Sequence, residues 1–159
     1  AGFPIVDDET EFISNSTKII PRDDGAKEGL DYYNKCQPPT AGFAEQVFYH
    51  EMAADQDNHV YVAIVNKSFN NGHGIGLYVK YHKTQLPKFV QWKMMDERGY
   101  VIGLEPANCW VDGRTKERQR GTLDYLEPGG RRHYEVEIGV LTSNQEIDEF
   151  SSKVRNNLE

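Results

Sequence analysis

The sequence lacks the cysteine patterns that mark metal-binding or disulfide-rich proteins. Only two cysteines occur, Cys36 and Cys109, and they are far apart and form no CxxC pair. This spacing excludes the usual zinc knuckle and the usual redox motif. It leaves either two free thiols, which are typical of a reducing cytoplasm, or one disulfide between the two residues. The histidines show no metal-site spacing either, so we predict no metal and no other cofactor.

Long hydrophobic runs are also missing. The longest apolar runs, such as residues 60–65, are far shorter than the roughly 20 residues that a helix needs to cross a bilayer. No leader of basic and then apolar residues opens the chain, so we expect no secretion signal and a cytoplasmic location. A membrane is therefore not an expected partner.

An excess of positive charge is absent as well. The formal net charge is −7, which disfavours contact with phosphate backbones, so we expect no nucleic-acid partner. Basic residues still cluster between Arg114 and Arg120 and again at Arg131 and Arg132. These clusters form either a solvated loop and a hairpin flank, or a site for an anionic group such as a sugar phosphate or sulfonate.

What the sequence does contain is a series of short β patterns separated by turn residues. Residues 75–81 and 134–140 alternate between apolar and polar positions, which predicts half-buried strands. Residues 60–65 are apolar on both faces, which predicts a central strand. Further strands are predicted over residues 45–52, 89–94, 100–105 and 122–126.

Helical patterns are sparse. Residues 23–34 have room for one or two turns, and Ser143 and Glu146 have the spacing of a capping box before a C-terminal helix. Turns are predicted at residues 72–74 and 128–130. Many short strands with almost no helix predict an all-β sandwich or barrel.

Glu105 is the most informative candidate for chemistry. Residues 100–108 read Tyr-Val-Ile-Gly-Leu-Glu-Pro-Ala-Asn, so an apolar strand ends in a carboxylate and is stopped by Pro106. Apolar neighbours raise the pKa of a carboxyl group and make it a more useful base. The pattern alone also fits an ordinary surface glutamate at a strand end.

Residues 103–109, Gly-Leu-Glu-Pro-Ala-Asn-Cys, resemble the segment of aldose 1-epimerases (galactose mutarotases) that carries the general base. Residues 111–114 and 120–129 are similar to a poorly characterised bacterial, mutarotase-like branch of that superfamily. The likeness runs from Gly2, Phe3 and Pro4 to about Leu141 and corresponds to the C-terminal half of a family member. It implies a galactose mutarotase-like β-supersandwich with a short C-terminal helix, of which residues 1–159 are the C-terminal portion, with the N-terminal half absent.

The resemblance also implies a reaction, the interconversion of the α and β anomers of a sugar. Glu105 is implied as the base that takes the proton of the C1 hydroxyl, while a histidine protonates the ring oxygen. The family's histidines belong to the absent N-terminal half, so we expect the isolated chain to hold the base without the acid and to be inactive. The alternatives are a non-catalytic carbohydrate-binding module and a purely structural β domain.

Seven further residues are candidates for sugar binding: Glu45, His50, Gln91, Trp92, Lys93, Asn108 and Arg114. The resemblance places Glu45 at the position of a sugar-binding carboxylate and residues 86–94 on a strand that lines the sugar pocket. The indole of Trp92 suits the apolar face of a sugar, and the ammonium of Lys93 offers donors to hydroxyls. The alternatives are a core position for Trp92 and a solvated Lys93.

Two interpretations remain open for each of His50, Asn108 and Arg114. His50 is the best local substitute for the missing acid, but on a strand it points away from Glu45. It is either a binding residue or a hydrogen-bonded residue at a strand end. Asn108 binds a hydroxyl or holds the turn, and Arg114 orients an anion or is solvated.

An isolated half of a shared sandwich exposes a sheet edge or an apolar face. We therefore expect the chain to pair with its missing half or with a second copy. The expected ligand is a small-molecule sugar, with or without a phosphate.

Overall fold

Two four-stranded antiparallel sheets form the fold. The first sheet has the order β1 (Glu11–Ser14), β4 (His59–Asn66), β5 (Ile75–His82), β8 (Val136–Leu141); the second has the order β2 (Ser16–Pro21), β3 (Gln46–Met52), β6 (Lys88–Asp96), β7 (Gly99–Ala107). The structure, a computed structural model, describes residues 6–156, so Gly2, Phe3 and Pro4 lie outside the described residues. The predicted all-β sandwich is confirmed.

The main core lies between the two sheets. Val62 and Tyr81 of the first sheet and Phe89 and Met95 of the second are all buried there. Strand β4 is buried on both of its faces, as its continuous apolar sequence predicts.

The second face of β4 is covered by a C-terminal helix, α4 (Asn144–Asn156). Ala63 and Val65 pack there against Ile147 of the helix. The predicted cap is present, because the backbone N–H of Glu146 donates to Ser143 Oγ at 3.2 Å. The carboxylate of Glu146 accepts in turn from the N–H of Thr142, at 2.6 Å.

The remaining helices are short: α1 (Asp24–Glu28), followed by a 3-10 turn (Leu30–Tyr32), α2 (Phe69–Gly72) and α3 (Arg114–Arg120). Among residues 6–156 no helix is long and apolar enough to cross a membrane. Cys36 is buried and Cys109 partly exposed, and both are free thiols.

Three details of the sequence prediction are wrong. Pro106 does not stop its strand, because it lies inside β7 opposite Phe89 and the strand continues to Ala107. The segment 114–120 is a helix and not a loop, and it ends at Gly121, whose φ of +71° is a left-handed conformation that suits glycine. Residues 122–126 form no strand. The strand that follows them, β8, pairs with β5 instead, and Tyr125 and Leu126 stay exposed.

Candidate functional site

The second sheet has one face in the core and one face outward, and the outward face carries Glu105. In the register, Tyr49 of β3, Val90 of β6 and Glu105 of β7 form one row across the sheet. The neighbouring row holds Val47, Trp92 and Gly103 in the same order. We call this side, on which Tyr49, Trp92 and Glu105 lie, the outer face.

Glu105 lies near the end of β7 with its carboxylate over a glycine. A Cβ atom at Gly103 would stand 2.6 Å from Glu105 Oε1 and 3.2 Å from Trp92 Cβ, so a larger residue there would displace the carboxylate of Glu105 from this position. Burial raises the pKa of the half-buried Glu105 carboxyl. Within the described residues it has no hydrogen-bond or ion-pair partner, so both oxygens are available to a ligand.

Glu45 and Trp92 form a second fixed element of the outer face. The indole N–H of Trp92 donates to Glu45 Oε2 at 2.9 Å, and Arg22 Nη2 donates to Glu45 Oε1 at 3.0 Å. Because each oxygen of Glu45 accepts one bond, each keeps a further lone pair for a sugar hydroxyl. Glu45 and Trp92, two of the candidates for sugar binding, are therefore in direct contact, and their role in sugar binding stays a prediction.

Trp110 and Asp112, in the loop after β7, contact Tyr49, which lies at the opposite end of the row from Glu105. The ring of Trp110 lies 4.5 Å from that of Tyr49, centroid to centroid, and the Tyr49 hydroxyl donates to Asp112 Oδ1 at 3.1 Å. Arg120 Nη2 of α3 donates to Asp112 Oδ2 at 2.6 Å. Burial acts to raise the pKa of Asp112, but the bonds from Arg120 and Tyr49 outweigh it and lower that pKa.

The sequence interpretation missed four residues around the outer face, for different reasons: Tyr49, Arg22, Asp112 and Arg120. Strand alternation places Tyr49 on the same face as Glu45, so Tyr49 could have been predicted from the sequence. Arg22, Asp112 and Arg120 come from loops and a helix whose placement no periodicity reveals. Trp110 packs against the buried cluster of Val47, Tyr49 and Val90.

Three candidate residues lie on the opposite, inner face of the same sheet. His50 is 2% exposed, with Nδ1 at 2.7 Å from Ser16 Oγ and Nε2 at 3.2 Å from Gln91 Oε1. The amide of Gln91 donates to the carbonyl of Tyr33, at 2.8 Å. Burial lowers the pKa of His50 to about 4.

Lys93, the third of these, is 0% exposed and not solvated. Its Nζ donates to the carbonyl of Tyr32 at 2.7 Å, and burial lowers its pKa to about 8. The structure therefore does not bring His50, Gln91 or Lys93 together with Glu105. A sugar-binding role for these three stays a prediction.

The last two candidates lie at the end of β7 and beyond it. Asn108 directly follows β7 and lines a cavity of about 600 Å³. Arg114 is the first residue of α3 and is exposed. It is not among the residues that line this cavity.

Comparison with known proteins agrees with the expected resemblance. The model of a family described as a domain of unknown function, DUF4432, matches residues 1–140. No curated protein matches the chain. The crystal structure of a candidate aldose 1-epimerase from Klebsiella pneumoniae subsp. pneumoniae MGH 78578 superposes with a TM-score of 0.90 at 28% sequence identity. The match covers 99% of this chain and 41% of that chain, so the chain spans about two fifths of the solved protein. Since the family model covers most of its length, the chain belongs to the DUF4432 family.

Proposed function

We propose that the protein acts on sugars as part of an aldose 1-epimerase-like site, with Glu105 as the general base. The observation that carries this proposal is the Glu105 carboxylate itself, which is half-buried, has a raised pKa and lies unpaired beside Trp92 on the outer face. The name of the Klebsiella protein, a candidate aldose 1-epimerase, supports the same chemistry. The two free thiols fit a cytoplasmic location.

The proposed reaction needs one base and one acid. Glu105 takes the proton of the C1 hydroxyl, the bond between C1 and the ring oxygen breaks, and an acid protonates that oxygen. Rotation about the C1–C2 bond then presents the other face of the aldehyde, and closure reverses the proton transfers. The ring of Trp92 offers an apolar surface to the sugar, and the oxygens of Glu45 accept from its hydroxyls.

A second candidate function follows from the lack of an identified acid beside Glu105 among the described residues. Within residues 6–156 no histidine is on the strands of the outer face beside Glu105: His50 is on the inner face, His59 and His82 are in the first sheet, and His73 is in a loop. His133 lines the cavity that Asn108 also lines, and its Nε2 lies 3.5 Å from the carboxylate of Glu135. His50 is neutral at pH 7 because its pKa is about 4. This arrangement favours a carbohydrate-binding module without turnover for the chain alone, and an epimerase when another segment supplies the acid.

Glu105→Gln separates the two functions, because it keeps the shape of the side chain and removes the base. In a protein that also contains the segment supplying the acid, we expect anomer exchange of a small aldose panel, measured by NMR exchange spectroscopy, to fall at least about a hundredfold relative to the same protein with Glu105. Glu97→Gln, at an exposed turn position, is the matched control and should leave exchange unchanged.

Three outcomes are informative. Exchange that depends on Glu105 supports the epimerase. Sugar binding that is lost in Trp92→Ala, without any exchange, supports the binding module. A protein that neither binds nor exchanges any aldose of the panel contradicts both.

We also propose that polypeptide beyond this chain covers an apolar strip on β8. Val136, Ile138 and Val140 pair with Tyr81, Val79 and Leu77 of β5 and so face the core side of the first sheet. Tyr81 and Val79 are buried, but the three residues of the strip are exposed. The remainder of a longer protein, like the Klebsiella chain, is the proposed occupant, and a second copy is the alternative.

A further inference from the structure

A cavity of about 350 Å³ lies on the first sheet, on the side that α4 covers. Strands β4, β5 and β8 supply its floor and α4 supplies its wall. Its lining includes Tyr61, Tyr78, Glu137, Glu149, Phe150 and Lys153. We propose that this cavity is a second sugar-binding site, which takes an uncharged sugar ring and acts independently of Glu105.

The strand register brings the floor of the cavity together. Tyr61, Lys80 and Glu137 form one row across β4, β5 and β8, and Tyr78 pairs with Gly139 in the next row. Because side chains alternate along a strand, these five residues lie on the face opposite to the main core. The cavity is therefore built on a different sheet from the outer face, and no residue of the outer face lines it.

Three aromatic rings give the cavity an apolar surface. The ring of Phe150 lies 5.4 Å from that of Tyr78 and 6.3 Å from that of Tyr61, between centroids. The ring of Tyr78 lies across Gly139, where a Cβ atom would clash with it, and its hydroxyl donates to Glu137 Oε1 at 2.7 Å. Tyr78 and Phe150 are partly exposed. An aromatic surface that is held in this way suits the apolar C–H face of a sugar ring.

Charges of both signs surround these rings and favour a neutral ligand. The charged residues that line the cavity are Lys80, Glu137, Glu146, Glu149 and Lys153. A small anion would meet three carboxylates, and a small cation would meet two ammonium groups. A hydroxyl group both donates and accepts, so a sugar can use the carboxylates and the ammonium groups at once.

Lys153 and Glu149 keep hydrogen-bonding groups free for a ligand. Lys153 Nζ lies 4.2 Å from the ring centroid of Tyr61 and has no hydrogen-bond or ion-pair partner among residues 6–156, so its N–H donors are available. Glu149 Oε1 accepts from Gln145 Nε2 at 2.9 Å, while Glu149 Oε2 has no partner in the described part of the chain. An ammonium donor and a carboxylate acceptor on one helix can therefore bind neighbouring hydroxyls of one sugar.

NMR titration of the isotope-labelled chain with methyl α-glucoside tests this site. This sugar has no free C1 hydroxyl, so it cannot undergo the anomer exchange proposed at Glu105. We expect saturable shifts of the backbone amides of Tyr78, Glu137 and Lys153. Lys153→Met should weaken binding about fivefold, because a hydrogen-bond donor is lost, and Tyr78→Ala should weaken it at least as much, because the ring surface is lost. Arg155→Met, at an exposed position of α4 outside the cavity, is the matched control and should leave the affinity unchanged.

The failure of this proposal is distinguishable from a failure of the proposal for Glu105. The absence of saturable shifts at the cavity, or an unchanged affinity in both Lys153→Met and Tyr78→Ala, would overturn the second site and leave the role of Glu105 intact. Trp92→Ala should leave the shifts at Tyr78 unchanged, and their loss in this variant would overturn the independence of the two sites. Choline and acetate probe the charge of the ligand, and tighter binding of either at the cavity would overturn the assignment to a neutral sugar.

Discussion

At the scale of single residues, the two faces of β3 and β6 carry different polar groups. The outer face presents Glu45 and Trp92 in a hydrogen-bonded pair, while the inner face buries His50, Gln91 and Lys93. Buried polar groups are tolerated only when they are hydrogen-bonded, and each of these three has a partner. We infer that the inner-face residues anchor the segment around Tyr32 and Tyr33 to the sheet.

The sequence placed Glu45 and His50 on opposite faces of a strand, and the structure agrees. Alternation alone does not say which face is the core, because Gln46, His50 and Gln91 make the buried face partly polar. That choice depends on the polar partners, Ser16 and the carbonyl of Tyr33, which lie far away in the sequence. The register likewise determines that Glu105 shares a row with Tyr49.

The buried His50 predicts a loss of stability in acid. Its pKa is about 4 in the folded protein and about 6.5 when unfolded. Between these values the unfolded chain binds more protons, so the free energy of unfolding falls as the pH drops from 7 to 4.5, by about 2–3 kcal/mol from this residue. Urea unfolding at both pH values should show a smaller fall in His50→Gln than in the unchanged protein. Carboxylates titrate in both proteins, so parallel curves would contradict this role of His50.

At the scale of elements, periodicity predicted best where an apolar face is continuous. Strand β4 and the alternating strands β5 and β8 follow from their own sequences, but β8 is not half-buried as predicted, because Val136, Ile138 and Val140 on its apolar face are exposed. Strands β1 and β2 were missed, because neither carries a sustained alternation. Helix α3 was missed because only Glu117 is buried in it and six of its seven residues are charged or polar on exposed positions. Its attachment through Arg120 to Asp112 is a tertiary contact that the local sequence does not encode.

Helix α4 is attached to the first sheet through a buried apolar side chain. Ile147 is 0% exposed and packs on Ala63, Val65 and Leu141 of the first sheet. Ile147→Ala should lower the free energy of unfolding by about 2–4 kcal/mol, because a buried side chain is lost and a cavity is left. Denaturant titration followed by circular dichroism measures this change. Gln145→Ala, on the exposed side of the same helix, is the control and should stay within about 0.5 kcal/mol of the unchanged protein.

At the scale of the whole molecule, the sandwich is open at β8. This strand pairs with β5 and, in the described part of the chain, has no second neighbour, so its other edge has free backbone groups. The side chain of Ile138 is 66% exposed although it faces the core side of the sheet. An apolar strip beside an unpaired edge favours association with another β-segment.

Ile138→Lys tests whether this strip is a contact surface. We expect the unchanged chain, whose mass is 18.2 kDa, to sediment above that mass when its proposed partner segment is absent, because a second copy then takes the place of the partner. Lysine at position 138 places a charge in the strip and should shift sedimentation velocity toward the monomer, with an unchanged circular dichroism spectrum because the site is exposed. Val111→Lys, at an exposed position in the loop after β7, should not change the sedimentation. A monodisperse monomer of the unchanged chain would contradict association through β8. It would mean that the exposed strip is tolerated without a partner.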